Sequence, residues 1–129
     1  MSTPQEITYT IEGEAGKMAF TTARINAAID TALADTTHVQ LHTGAPGAAG
    51  TSNVAVGVEW AALTKGSATN KQATCTASFI IPGAGGPFTH ISGWSTESGG
   101  TFMFDGTLTP QETFAGSGTL AVTLTVTGS

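Results

Sequence analysis

The sequence predicts a mostly β fold, a jelly-roll-like β-sandwich with one short helix near its N-terminus. Three observations carry this expectation. Several stretches alternate apolar residues with a period of two, most regularly Leu120, Val122, Leu124 and Val126 between Ala121, Thr123 and Thr125. Gly-, Pro- and Ser-rich breaks separate these stretches at short intervals, as expected of strands joined by tight turns. Only 10% of the residues are charged, against a usual share of about a quarter; Thr, Gly, Ala and Ser fill the difference. The chain has 129 residues, which suits a single domain. We read residues 1–17 as an N-terminal arm and 18–129 as the sandwich.

In order along the chain, Ile7, Tyr9 and Ile11 alternate with Thr8 and Thr10, a half-buried strand pattern, and Gly13 to Gly16 break it. Thr21 or Thr22 can cap a helix by accepting a backbone N–H. Ile25, Ala28, Ile29, Ala32 and Leu33 then form one apolar stripe at helical spacing, and Asp35 with the following Thr pair ends it. A helix of that length must dock on a sheet to be stable. Val39 and Leu41 alternate with His38, Gln40 and His42, and residues 44–50 form a Gly/Ala/Pro loop. Strands are expected at Val58 to Leu63, with Val58, Trp60 and Ala62 on one face, and at Gln72 to Ile81. Pro82 to Pro87 reads as a Gly-rich turn because proline cannot continue a ladder. Further strands are expected over Phe88 to Trp94 and over Thr101 to Leu108, separated by the turn at Ser98-Gly99-Gly100. Trp60 and Trp94, among alternating apolar neighbours, are expected in the core.

The charge balance excludes several functions. Lys17, Arg24, Lys65 and Lys71 are the only basic residues and the net charge is −5. Nucleic-acid binding needs a basic stripe to displace counterions, and anionic membranes make the same demand. No apolar run approaches the ~20 residues of a membrane helix. The polar opening residues carry no secretory signal, so synthesis and assembly in the cytoplasm are expected. The single cysteine, Cys75, shares a strand face with Ala77, Phe79 and Ile81 and reads as a buried, inert thiol.

Chemistry-bearing constellations are missing. His38 and His42 lie four apart on a strand, roughly 13 Å by strand rise, too far to chelate one ion. His90 can approach either of them, but no metal-ligand spacing is present. There is no Gly-x-Ser-x-Gly elbow, no paired carboxylates and no phosphate-binding Gly-Lys-Ser/Thr. We therefore expect no enzyme, no cofactor and no metal. A surface with so few charges loses little on desolvation, which suits a subunit packed against neighbours. A soluble monomer dispersed by its net charge is the alternative.

The run Leu41-His42-Thr43-Gly44-Ala45-Pro46-Gly47-Ala48-Ala49-Gly50 resembles a loop of small actinobacteriophage proteins labelled tail fibre or minor tail proteins. A second signature of that family is similar to Thr89 to Trp94, Ser98-Gly99-Gly100 and Thr101 to Gly106. The resemblance covers residues 18–129 and implies a virion structural protein without known catalysis, on the tail or as a capsid decoration protein. Physically, Gly44, Gly47 and Gly50 are expected to adopt backbone angles closed to other residues, Pro46 to stiffen the loop, and His42 to bond loop carbonyls.

Residues 1–17 extend beyond the family pattern. Ile7, Tyr9 and Ile11 are expected to form an arm strand that adds to a neighbouring subunit or to the capsid shell; the alternative is a strand in the chain's own sheet. The residues expected to meet partners are thus Ile7, Tyr9 and Ile11 of the arm and His42, Gly44, Pro46 and Gly47 of the loop. The expected partners are other copies, as a trimer by analogy with phage fibres, and other virion proteins of the tail or capsid. A host-attachment module binding surface glycan is the competing class, and it predicts Trp60 or Trp94 exposed in a groove.

Overall fold

A computed structural model describes residues 5–11 and 20–128. Eight strands and one helix follow one another as β1 (Gln5–Ile11), α1 (Thr22–Ala34), β2 (His38–His42), β3 (Ala61–Ala62), β4 (Thr64–Lys65), β5 (Gln72–Ile81), β6 (Gly85–Trp94), β7 (Phe102–Phe114) and β8 (Gly118–Gly128). They pair in the order β3-β2-β6-β7-β1-β8-β5-β4. The first four form one antiparallel sheet. In the second, β4, β5 and β8 are antiparallel and β1 runs parallel to β8. The mostly β sandwich with one helix is the fold expected from the sequence.

Period-two burial explains why the sheets stack. Ala73, Cys75, Ala77, Phe79 and Ile81 of β5 face inward with Leu120, Val122, Leu124 and Val126 of β8. They meet Val39, Leu41 and Ile91 from the other sheet in one core cluster. The Thr and Ser residues of β5 point to solvent. Among the described residues no helix is long and apolar enough to cross a membrane.

Helix α1 starts where Thr21 accepts the Arg24 N–H at 3.3 Å, and it buries Ile25, Ile29 and Leu33. Four bonds tie it to the β4–β5 edge. Lys65 Nζ donates to the carbonyls of Leu33 and Ala34 at 3.0 Å each, satisfying helix-end acceptors. The carboxylate of Asp30 accepts from Ala68 N and the amide oxygen of Asn26 from Lys71 N, both at 2.9 Å.

Three expectations about strands and turns need correction. The strand expected over Val58 to Leu63 is instead the pair of two-residue strands β3 and β4. Leu63 N bonds Thr37 O while Gly66 N bonds Thr74 O, so the chain changes sheets at Leu63. No single face can therefore carry Val58, Trp60 and Ala62: the first two are half-buried and Ala62 is exposed. The turn expected through Pro87 is also shorter, because β6 begins at Gly85. A register shift between Gly85 and Phe88 accommodates Pro87, which has no N–H to give the ladder. Strand β7 runs past Leu108 to Phe114.

Candidate assembly surface

The Leu41–Gly50 motif builds a loop that folds over the outside of its own sheet. His42, Ser92 and Trp94 lie on the face opposite Val39, Leu41 and Ile91, yet all three are buried. The loop is held by its own backbone: Ser52 N bonds Pro46 O, Gly50 N bonds Gly47 O and Thr43 N bonds Asn53 O. The Asn53 side-chain amide adds a bond to Ala45 O at 2.9 Å. Residues beyond the loop return to the free edge of β2, with Val54 bridged to His42 and Ala55 N bonded to Leu41 O.

The anchor is a polar chain through the layer. Trp94 Nε1 donates to Ser92 Oγ at 2.7 Å, Ser92 Oγ lies 2.7 Å from His42 Nε2, and His42 Nδ1 lies 2.8 Å from Ser52 O. Indole is only a donor and a carbonyl only an acceptor. Nδ1 therefore carries the proton and donates to Ser52, the Ser92 hydroxyl donates to Nε2, and every member is satisfied with a neutral imidazole. The expected bonding of His42 to a loop carbonyl is what this geometry contains.

Burial pushes the His42 pKa below its ordinary 6.5, against the opposing pull of the Ser52 carbonyl. The unfolded chain takes up this proton near pH 6.5 and the folded chain only at lower pH. The contribution to stability is thus fully present above pH 6.5 and is lost as pH falls below it, with a slope of up to about 1.4 kcal/mol per pH unit. Urea titrations between pH 7.5 and 5 should show this slope in the native chain and lose it in His42→Asn.

The glycines of the loop act in two ways. Gly47 and Gly50 have φ of 78° and 74°. Gly44 is not in the left-handed region, contrary to expectation; its missing Cβ makes room for the Asn53 amide, 3.0 Å from where that atom would sit. At Gly50 a Cβ would also stand 2.5 Å from the Phe102 ring. Gly50→Ala should cost about 2–3 kcal/mol from strain and overpacking together. Gly99→Ala, with φ of 78° and open space around it, should cost only about 1 kcal/mol. Urea midpoints of the two variants provide the comparison.

Of the residues expected to contact partners, His42 and Pro46 are buried, Gly44 is half-buried and Gly47 is exposed at the tip beside Ala48 and Ala49. The backbone of Ile7, Tyr9 and Ile11 lies in β1, in register with Leu124, Val126 and Gly128 of the same chain. That is the own-sheet alternative. Trp94 is buried against Phe102, with ring centroids 5.3 Å apart, and Trp60 packs edge-on against Trp94 at 5.7 Å. Cys75 is fully buried, and burial raises its thiol pKa. Among the described residues no group of three or more His, Cys, Asp or Glu side chains could hold a metal ion.

One exposed region had no clear sequence signal. Strand β4 covers β5 only opposite Cys75 and Thr76. Because Thr74 O bonds Gly66 N, even-numbered residues of β5 turn their backbone polar groups toward this edge. Beyond β4, Ser78 and Ile80 have no strand beside them on that side among the described residues. A groove lined by Gly57, Glu59, Trp60, Ser78, Ile80 and Pro82 follows this stretch. Ile80 is 75% exposed, and Val56, in the segment leading to the groove, is 97% exposed. Exposed edges and bare apolar side chains are both features that soluble proteins usually cover.

A charge-poor sandwich whose buried His42 and Ser92 hold a loop, and whose β5 edge is bare, is a β-sandwich module built around a fixed loop. Residues 16–126 match the family described as Podophage GP4 fiber I protein gp80, and the chain belongs to that family. It is therefore a phage fibre structural protein, a component of the virion. No curated protein and no solved structure matches it significantly.

Proposed function

We propose that this chain is a non-enzymatic surface subunit of a tailed-phage virion, a tail fibre or minor tail protein made in the host cytoplasm and held by neighbouring virion proteins. Besides family membership, the observation that carries this reading is the bare β5 edge at Ser78 and Ile80, flanked by the exposed Val56. A neighbour in the particle covers it, together with the loop tip at Gly47. The arm residues Ile7, Tyr9 and Ile11 join the contact with other copies, in a trimer by analogy with fibres. The Leu41–Gly47 loop supports a place among actinobacteriophage proteins.

Antibody labelling of purified particles in the electron microscope tests the location. Label confined to the tail supports the reading, and label spread over the head replaces it with capsid decoration. Ile80→Lys, on an exposed site, should leave the fold intact and reduce incorporation into particles. A second reading, glycan binding for host attachment, draws on the groove where the half-buried Trp60 lies beside Glu59 and Ser78. It requires glycan-array binding that is lost in Trp60→Ala.

A further inference from the structure

Strand β1 occupies a particular place. It stands between β8 and β7 and joins the two sheets into one hydrogen-bonded series. It pairs with β8 along its whole length, from Gln5 opposite Val122 to Ile11 opposite Gly128, but with β7 only at Glu6, opposite Thr109. The family match begins at residue 16, so this closing strand lies outside the family body. The body thus presents a seam between β7 and β8 that accepts one extended strand, and the donor is attached only through the ten residues that separate Ile11 from Thr22. Ten residues span up to about 33 Å when extended, against a radius of gyration of roughly 14 Å for a domain of this size. That length is enough for the strand to reach the seam of an adjacent copy.

We propose that residues 5–11 are exchanged between copies, the strand of one subunit filling the β7–β8 seam of the next in the register seen here. The inference rests on the assembly reading above and names its partner as a second copy of this chain. Exchanged and unexchanged forms share the same ladder and differ only in the path of the tether, so crowding subunits together in a particle favours exchange at no loss of contacts. The head-to-tail form lets each copy donate and accept once, which can close as a ring.

The test uses full-length chains. Thr8 and Thr125 are register partners, so Thr8→Cys and Thr125→Cys chains carrying different tags are co-expressed, purified together and oxidised. A disulfide between residue 8 of one tag and residue 125 of the other, identified by peptide mass, is the expected result. Chains that stay unlinked in the mixture, while the Thr8→Cys/Thr125→Cys double variant closes only within itself, overturn exchange. Failure to close in either arrangement overturns the β1–β8 register and exchange with it. Particle labelling fails or succeeds separately, because it reads location and not strand exchange.

Discussion

Phe79→Ala should lower the free energy of unfolding by about 3–5 kcal/mol, the cost of removing a buried aromatic and leaving a cavity. Phe79 is fully buried on β5, opposite Leu120, in the middle of the cluster shared by both sheets. For a domain of this size that loss corresponds to a fall of roughly 10–20 °C in Tm, and it is a large share of the 5–15 kcal/mol that holds a typical domain folded. Ile80→Ala is the control. Ile80, next to Phe79 in sequence, faces the other way and is 75% exposed, so its truncation should change stability by no more than about 0.5 kcal/mol. Equal losses in the two variants, measured by urea unfolding, would refute the inward and outward alternation of β5.

His42→Ala should cost about 2–4 kcal/mol, because it removes the donor to the Ser52 carbonyl and the acceptor of the buried Ser92 O–H, which keeps only the bond it accepts from Trp94. The damage should be local as well as global. With Ser52 released, the 44–52 loop loses its side-chain tie to the sheet, and limited proteolysis should cut there before the rest of the chain unfolds. His42→Asn can still place an N–H near the Ser52 carbonyl and should recover part of the loss. If the alanine variant is as stable and as protease-resistant as the native chain, the imidazole is not what holds the loop. Because Gly50 of this loop lies against the Phe102 ring, which itself packs on Trp94, its release should also raise the exposure of Trp94, which fluorescence quenching reads.

The sequence by itself determined the strand-rich class, the capped helix and its buried stripe of Ile25, Ile29 and Leu33, and the inward faces of β5 and β8. Each of these is a local periodicity with a single solution once one face is buried. It also carried a phage-fibre resemblance, and the family that residues 16–126 match is a phage fibre family. Only the tertiary structure decided the rest. Alternation places His38, Gln40 and His42 on an outward face, as they are, but it cannot show that a loop ten residues on returns to bury His42 there. Leu63 marks a change of sheet that no pattern records, since it depends on Thr37, just before β2, and Thr74 of β5 being the partners of Leu63 and Gly66. The bare edge at Ser78 and Ile80 was illegible for the same reason: whether a strand has a neighbour is a property of the pairing order. Alternation puts Ile80 on the outward face of β5, but only the pairing order shows that no described strand lies beside it.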